Sequence, residues 1–180
     1  MTDDTHLSLR VRCLSGTVST DDIIPGRYKH MYSDPKHLAP HVFENLIPGF
    51  AGSLKTGDAI WSDSIFGIGS SREQAATSLL AAGVQVVLAP RFGRIFYRNA
   101  WNVGLGLIEL APPAGASLEG AGITVDWATG IVGGPFGEMR FAVPPPRLMQ
   151  IRRSGGLLNW VIARHSGAHR NGHAGASHAQ

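Results

Sequence analysis

FGIGSSREQAA, residues 66–76, puts two glycines, two serines and an arginine between the end of an apolar segment and the start of a helical pattern. Ala75, Ala76, Leu79, Leu80 and Ala82 recur at helical spacing, and Gly83 follows as a natural C-cap. VQVVLA (84–89) is a near-continuous β-branched run, as expected of a buried parallel strand. RFGRIFYRNAWNVG (91–104) sets Ile95, Phe96, Asn99 and Val103 on neighbouring helical turns, and LGLIEL (105–110) closes a strand–helix–strand–helix–strand series. The glycine corner therefore sits inside an α/β fold.

Outward from this centre, LSLRVRCL (7–14) alternates as a strand does, and SGTVSTDDIIPGRY (15–28) is dense in turn residues, with Pro25-Gly26 a strong turn signal. Pro35, Pro40 and Pro48 limit residues 29–50 to short helical turns, and KTGDAIWSDSIF (55–66) reads as a turn and a strand. Long ordered excursions in compact domains tend to be functional. Beyond Pro112, ITVDW, GIVGG and MRFAV are short strands divided by glycine, forming a β layer. PPPRLMQIRRSGGLLNWVIARH (144–165) predicts a last helix or two, broken at Gly155-Gly156. One domain over residues 1–165 and a disordered tail over 166–180, small, polar and aperiodic, is the expected organisation. His165, His169, His173 and His178 near and in that tail have no fold to fix them as a metal site.

Composition narrows the function classes. At 43% hydrophobic and 16% charged residues, the chain can build a core. It has no run near the roughly 18 apolar residues of a membrane span, and its acidic, polar N-terminus is unlike a secretory signal, so a cytoplasmic location is expected. A net charge of +3 with scattered basic residues does not suggest nucleic acid; a small anionic substrate or an acidic partner fits. The single cysteine, Cys13, reads as packing within a strand and cannot build an iron–sulfur or structural zinc site.

Three readings compete for the corner. Gly67-x-Gly69 resembles part of a dinucleotide fingerprint, but Arg72 stands where the third glycine would pack, and no P-loop lysine follows. Ser70-x-x-Glu73 and Ser71-x-x-Gln74 are each a capping box, so one serine suffices to cap the helix. Capping leaves the second serine and an arginine in the first helical turn unexplained. An anion site explains both: helix N–H groups and the Arg72 fork bind a carboxylate, and the same positive field stabilises an alkoxide at a serine.

GIGSSREQAA resembles the GSSRE signature of the aconitase superfamily swivelling domain, which in isopropylmalate isomerases is a separate small subunit. STDDIIPGRY (19–28) is similar to that family's DTDxIIPxRY opening, and VVLAPRFGRIFYRNAWNVGLGLIEL to the strand–helix–strand after the signature; the likeness covers most of residues 7–165. The resemblance implies a single swivelling β/β/α domain and reversible dehydration of a 2-hydroxy di- or tricarboxylate. It implies Ser70 as the base that removes the C–H proton, Asp21 reaching the same site, Ser71 bonding substrate or holding the pocket, and Arg72 clamping a carboxylate. It also implies a cluster-bearing large subunit as partner, whose 4Fe-4S cluster acts as Lewis acid on the hydroxyl, with no cofactor or metal held by this chain. Gln74 and Ser19 stand where the family usually has histidine and aspartate.

Substrate choice is expected in the loop after Ile23-Ile24-Pro25, where Arg27 and Tyr28 are the candidate substrate-binding residues, with Lys29, His30, Met31 and Tyr32 beside them. His37 and His41 are four apart, but Pro40 disfavours a helical metal pair. The leading expectation is the small subunit of an isopropylmalate-isomerase-like hydro-lyase. The alternatives are the small subunit of a homoaconitase, citraconate or dimethylmalate type of dehydratase, and, in a different class, a non-catalytic anion-binding module.

Overall fold

The computed structural model describes residues 5–171, without the side chains of Lys29, His30 and residues 167–171. β1 (His6–Leu14) leads through a short β2 (Val18–Ser19) into a single-turn helix α1 (Thr20–Ile23). The proline-rich excursion holds a 3-10 turn at Gly26–His30, α2 (Pro35–Leu38), a second 3-10 turn at Ala39–His41 and α3 (Phe50–Ser53). These are the short turns expected where proline interrupts backbone donors.

The α/β heart follows as β3 (Asp58–Ser62), β4 (Phe66–Ile68), α4 (Glu73–Ala81), β5 (Val84–Ala89), α5 (Arg94–Val103) and β6 (Gly106–Glu109). Three strands close the sheet: β7 (Gly122–Asp126), β8 (Ile131–Gly134) and β9 (Gly137–Arg140). β9 begins two residues ahead of the expected MRFAV segment and shares only Met139 and Arg140 with it, because the ladder to β8 starts by pairing Gly134 with Gly137. The seven-stranded sheet runs β6-β5-β3-β1-β7-β8-β9, parallel on the β6 side of β1 and antiparallel beyond it. Every residue of β3 is buried and β5 nearly so, which is why their sequences lack polar alternation. β4 lies outside this sheet, paired in parallel with β2. That small ladder carries the glycine corner to the N-terminal turn.

α6 (Pro146–Arg153) and α7 (Leu157–Asn171) flank the expected glycine break. α7 thus runs past the boundary at residue 165; the rest of the tail, residues 172–180, lies outside the described residues, as do His173 and His178.

Phe66, Phe92 and Phe96 are buried beneath the corner, with the Phe66 and Phe96 rings edge to face at 5.3 Å. Gly67 has φ of 78°, and a Cβ there would sit 2.3 Å from the Phe96 ring. Only glycine lets the chain turn away from β4 while lying this close to α5. Packing, more than helix propensity, aims the next residues outward.

Candidate active site

The corner is not a capped helix start. α4 begins at Glu73 with Arg72 as its N-cap residue, and no side chain among the described residues caps it. Neither expected capping box forms. Gly69, at φ of 102°, swings Ser70 and Ser71 out ahead of the helix, so the residue three beyond the true N-cap is Ala75, which has no acceptor to reach back. Both serines are exposed. Ser70 is fixed through its backbone, whose carbonyl accepts from Thr20 Oγ1 at 3.1 Å. Two exposed serines thus precede a helix end that no side chain of its N-cap residue satisfies.

Arg72 turns the other way, into the protein, with only 13% of its side chain exposed. Its Nη1 donates to Asp21 and, at 3.2 Å, to the Ile24 carbonyl, while Nε is buried without a hydrogen bond among the described residues. Asp21, at 58% exposure, is thus joined to Arg72 across 51 residues of sequence. α1 is the element that positions Asp21. Ser19 caps it, accepting from the Asp22 N–H at 3.1 Å, and the Asp22 carboxylate accepts from the Ser19 N–H at 2.7 Å. This capping box is what the serine at position 19 contributes: it fixes the turn without adding a charge.

Gly26 passes directly over the ion pair. A Cβ built there would lie 3.3 Å from both Arg72 Nη2 and Asp21 Oδ1, so a side chain at this position would crowd the guanidinium. Beside the corner, Gly67, Ile68, Gly69, Gly93, Arg94, Ile95 and Arg98 line an open depression of about 450 Å³. Arg94 and Arg98 are exposed on one face of α5 and make no ion pair among the described residues.

Arg27 and Tyr28 form a second cluster next to this pair. Arg27 pairs with Glu44, and Tyr28 Oη donates to Glu44 Oε1 at 3.0 Å. His41 stacks on Tyr28 with centroids 3.9 Å apart, and its Nδ1 is 2.6 Å from Glu44 Oε2. His37 lies instead beside Tyr32, and no group of three possible metal ligands gathers among the described residues. Glu44 escaped the sequence reading because it stands 17 residues from Arg27 in no motif. Its neighbour Phe43 carries φ of 58°, a left-handed geometry that costs a non-glycine residue about 1–2 kcal/mol. Complete burial, edge-on contact with Phe50 and an N–H bond to the Ile23 carbonyl hold it there.

Cys13 lies in β1, its N–H donating to Glu119 at 2.7 Å. Burial first, then the Glu119 charge, pushes its thiol pKa up, so it stays protonated and unreactive near neutral pH.

The Aconitase C-terminal domain family matches residues 55–113, which hold β3 to β6 and the whole glycine corner. A 3-isopropylmalate dehydratase small subunit of Aliarcobacter butzleri is 42% identical over 81% of this chain and 88% of its own length. The 3-isopropylmalate dehydratase small subunit 1 of Thermotoga maritima is 39% identical over 84% of this chain and 92% of its own. A crystal structure of 3-isopropylmalate dehydratase from Methanocaldococcus jannaschii superposes with a TM-score of 0.85 at 32% identity, covering 92% of this chain and 99% of that one. With the fold, the corner and these relatives in agreement, the chain belongs to the 3-isopropylmalate dehydratase small-subunit family of the aconitase superfamily.

Proposed function

We propose that this chain is the small subunit of a 3-isopropylmalate dehydratase, a hydro-lyase of leucine biosynthesis. With a large subunit, it interconverts 2-isopropylmalate and 3-isopropylmalate by dehydration and rehydration. The observation that carries the reading is the corner itself, where two exposed serines precede the uncapped N-terminus of α4 and an arginine tied to Asp21.

Ser70 is the proton acceptor in this proposal. Its hydroxyl makes no hydrogen bond among the described residues, and its backbone is pinned through the carbonyl by Thr20. An alkoxide is costly in water; the uncapped N–H groups of α4 lower that cost. Arg72 offers a substrate carboxylate its Nη2, which Asp21 does not use, and Asp21 keeps the guanidinium aimed. Ser71 supplies a second donor at the mouth. The depression alongside mixes Ile68 and Ile95 with Arg94 and Arg98, a lining that suits a small acid with an apolar branch.

An iron–sulfur cluster would act as Lewis acid on the departing hydroxyl. A cluster requires several thiolates, and this chain has one cysteine, so the large subunit is the proposed holder. No helix among the described residues is long and apolar enough to cross a membrane; we place the enzyme in the cytoplasm.

The test is a substrate screen on the chain reconstituted with its large subunit, followed by absorbance of the unsaturated acid formed. The kcat/KM for 2-isopropylmalate is expected to exceed that for homocitrate, citramalate and 2,3-dimethylmalate by about tenfold or more. A clear preference for one of those acids would reassign the substrate, and no turnover of any would favour an anion-binding module.

A further inference from the structure

We infer that Glu44 is a positioning residue for substrate recognition: its carboxylate ties the turn carrying Arg27 and Tyr28 beside the Arg72–Asp21 pair. The inference rests on the dehydratase reading above and adds to it a residue from the far side of the excursion.

Three side chains converge on this one carboxylate. Arg27 pairs with Oε1, Tyr28 Oη reaches Oε1 at 3.0 Å and Oε2 at 3.1 Å, and His41 Nδ1 reaches Oε2 at 2.6 Å. Arg27 also lies over the Tyr28 ring at 4.8 Å, so the guanidinium, phenol and imidazole form one packed stack around the acid. Glu44 is placed by the strained Phe43, and its own N–H donates to the His41 carbonyl at 3.2 Å. A bulky residue held in a left-handed conformation marks a position where the fold enforces one chain direction.

The consequence for the site follows from Gly26, which lies against Arg72 and Asp21 and is bonded directly to Arg27. One residue separates the ion pair from the residues that Glu44 holds. The segment bordering Arg72 is therefore clamped at one end by Glu44, and its position sets the shape available beside a bound carboxylate. Release of Glu44 frees Arg27 and Tyr28 together, without touching Ser70 or Arg72. Shape loss at a binding wall raises KM and blunts discrimination more than it lowers kcat.

The experiment compares wild type, Glu44→Gln and Glu44→Ala as the reconstituted enzyme. Glu44→Ala is expected to raise KM for 2-isopropylmalate about tenfold with kcat within about twofold. The ratio of kcat/KM for 2-isopropylmalate over malate should fall in parallel. Glu44→Gln, which keeps an acceptor for Tyr28 but loses the charge facing Arg27, should lie between. Limited trypsin cleavage of the free full-length chain, read as the 1–27 fragment by mass, should accelerate in Glu44→Ala while the melting temperature stays close to wild type. Unchanged KM and discrimination, or a uniform loss of kcat that tracks melting temperature, overturns the positioning role. A wild-type complex inert toward every hydroxy acid would contradict the proposed function instead. The cleavage rate alone would then decide whether Glu44 holds the turn, and an unchanged rate would overturn it.

Discussion

Replacing Ser70 with alanine is expected to lower turnover of the reconstituted enzyme by about 10²–10⁴-fold, the range supplied by a positioned acid–base group. Stability gives no competing explanation for such a loss. The hydroxyl caps no helix, the side chain is exposed, and the bond that anchors the residue runs through its carbonyl to Thr20, which alanine keeps. An exposed substitution of this kind shifts stability by within about 0.5 kcal/mol. Ser71→Ala is the control: equally exposed, equally uncapping, and expected to lose less because it is a donor at the mouth rather than the base. Turnover of the two variants, each checked for melting temperature and assembly, separates the roles. Near-normal turnover in Ser70→Ala would remove the base from this position.

Arg72→Lys is expected to raise KM by about 10–100-fold, matching the loss of charge-assisted hydrogen bonds worth about 1.5–3 kcal/mol. An ammonium keeps the charge but cannot reach Asp21, the Ile24 carbonyl and a substrate carboxylate at once, as the guanidinium fork can. Part of the loss comes from Asp21, which would no longer be held beside Gly26 by a rigid plane. Steady-state kinetics on the reconstituted enzyme read this directly. An unchanged KM would mean that Arg72 serves only to tie α1 to the corner.

Much of the architecture was legible because local patterns and tertiary structure agree. The β-branched run of β5, the helical spacing of α5 and the glycine break between α6 and α7 each state a preference that packing then fulfils. The capping boxes at Ser70 and Ser71 were misleading for a definite reason. The spacing is right, but Gly67, pressed against Phe96, and Gly69, facing Thr20, both take positive φ, and that turn carries both serines out of register with the helix. A motif scan cannot see a phenyl ring 29 residues downstream. Asp21 and Arg72 were singled out through resemblance, whereas the ion pair that joins them is a tertiary fact. Glu44 was invisible for the same reason: its three partners come from residues 27, 28 and 41, joined by a proline-rich excursion whose path no periodicity specifies.

The central claim is that this chain carries half of a dehydratase site and does its chemistry only when completed by a large subunit. The most direct measurement is turnover of 2-isopropylmalate as the large subunit is titrated into a fixed amount of this chain under anaerobic conditions. The account predicts no turnover by either chain alone and a rise that saturates as the pair forms. Dehydratase activity from this chain without its partner, or none from the saturated mixture, would contradict it.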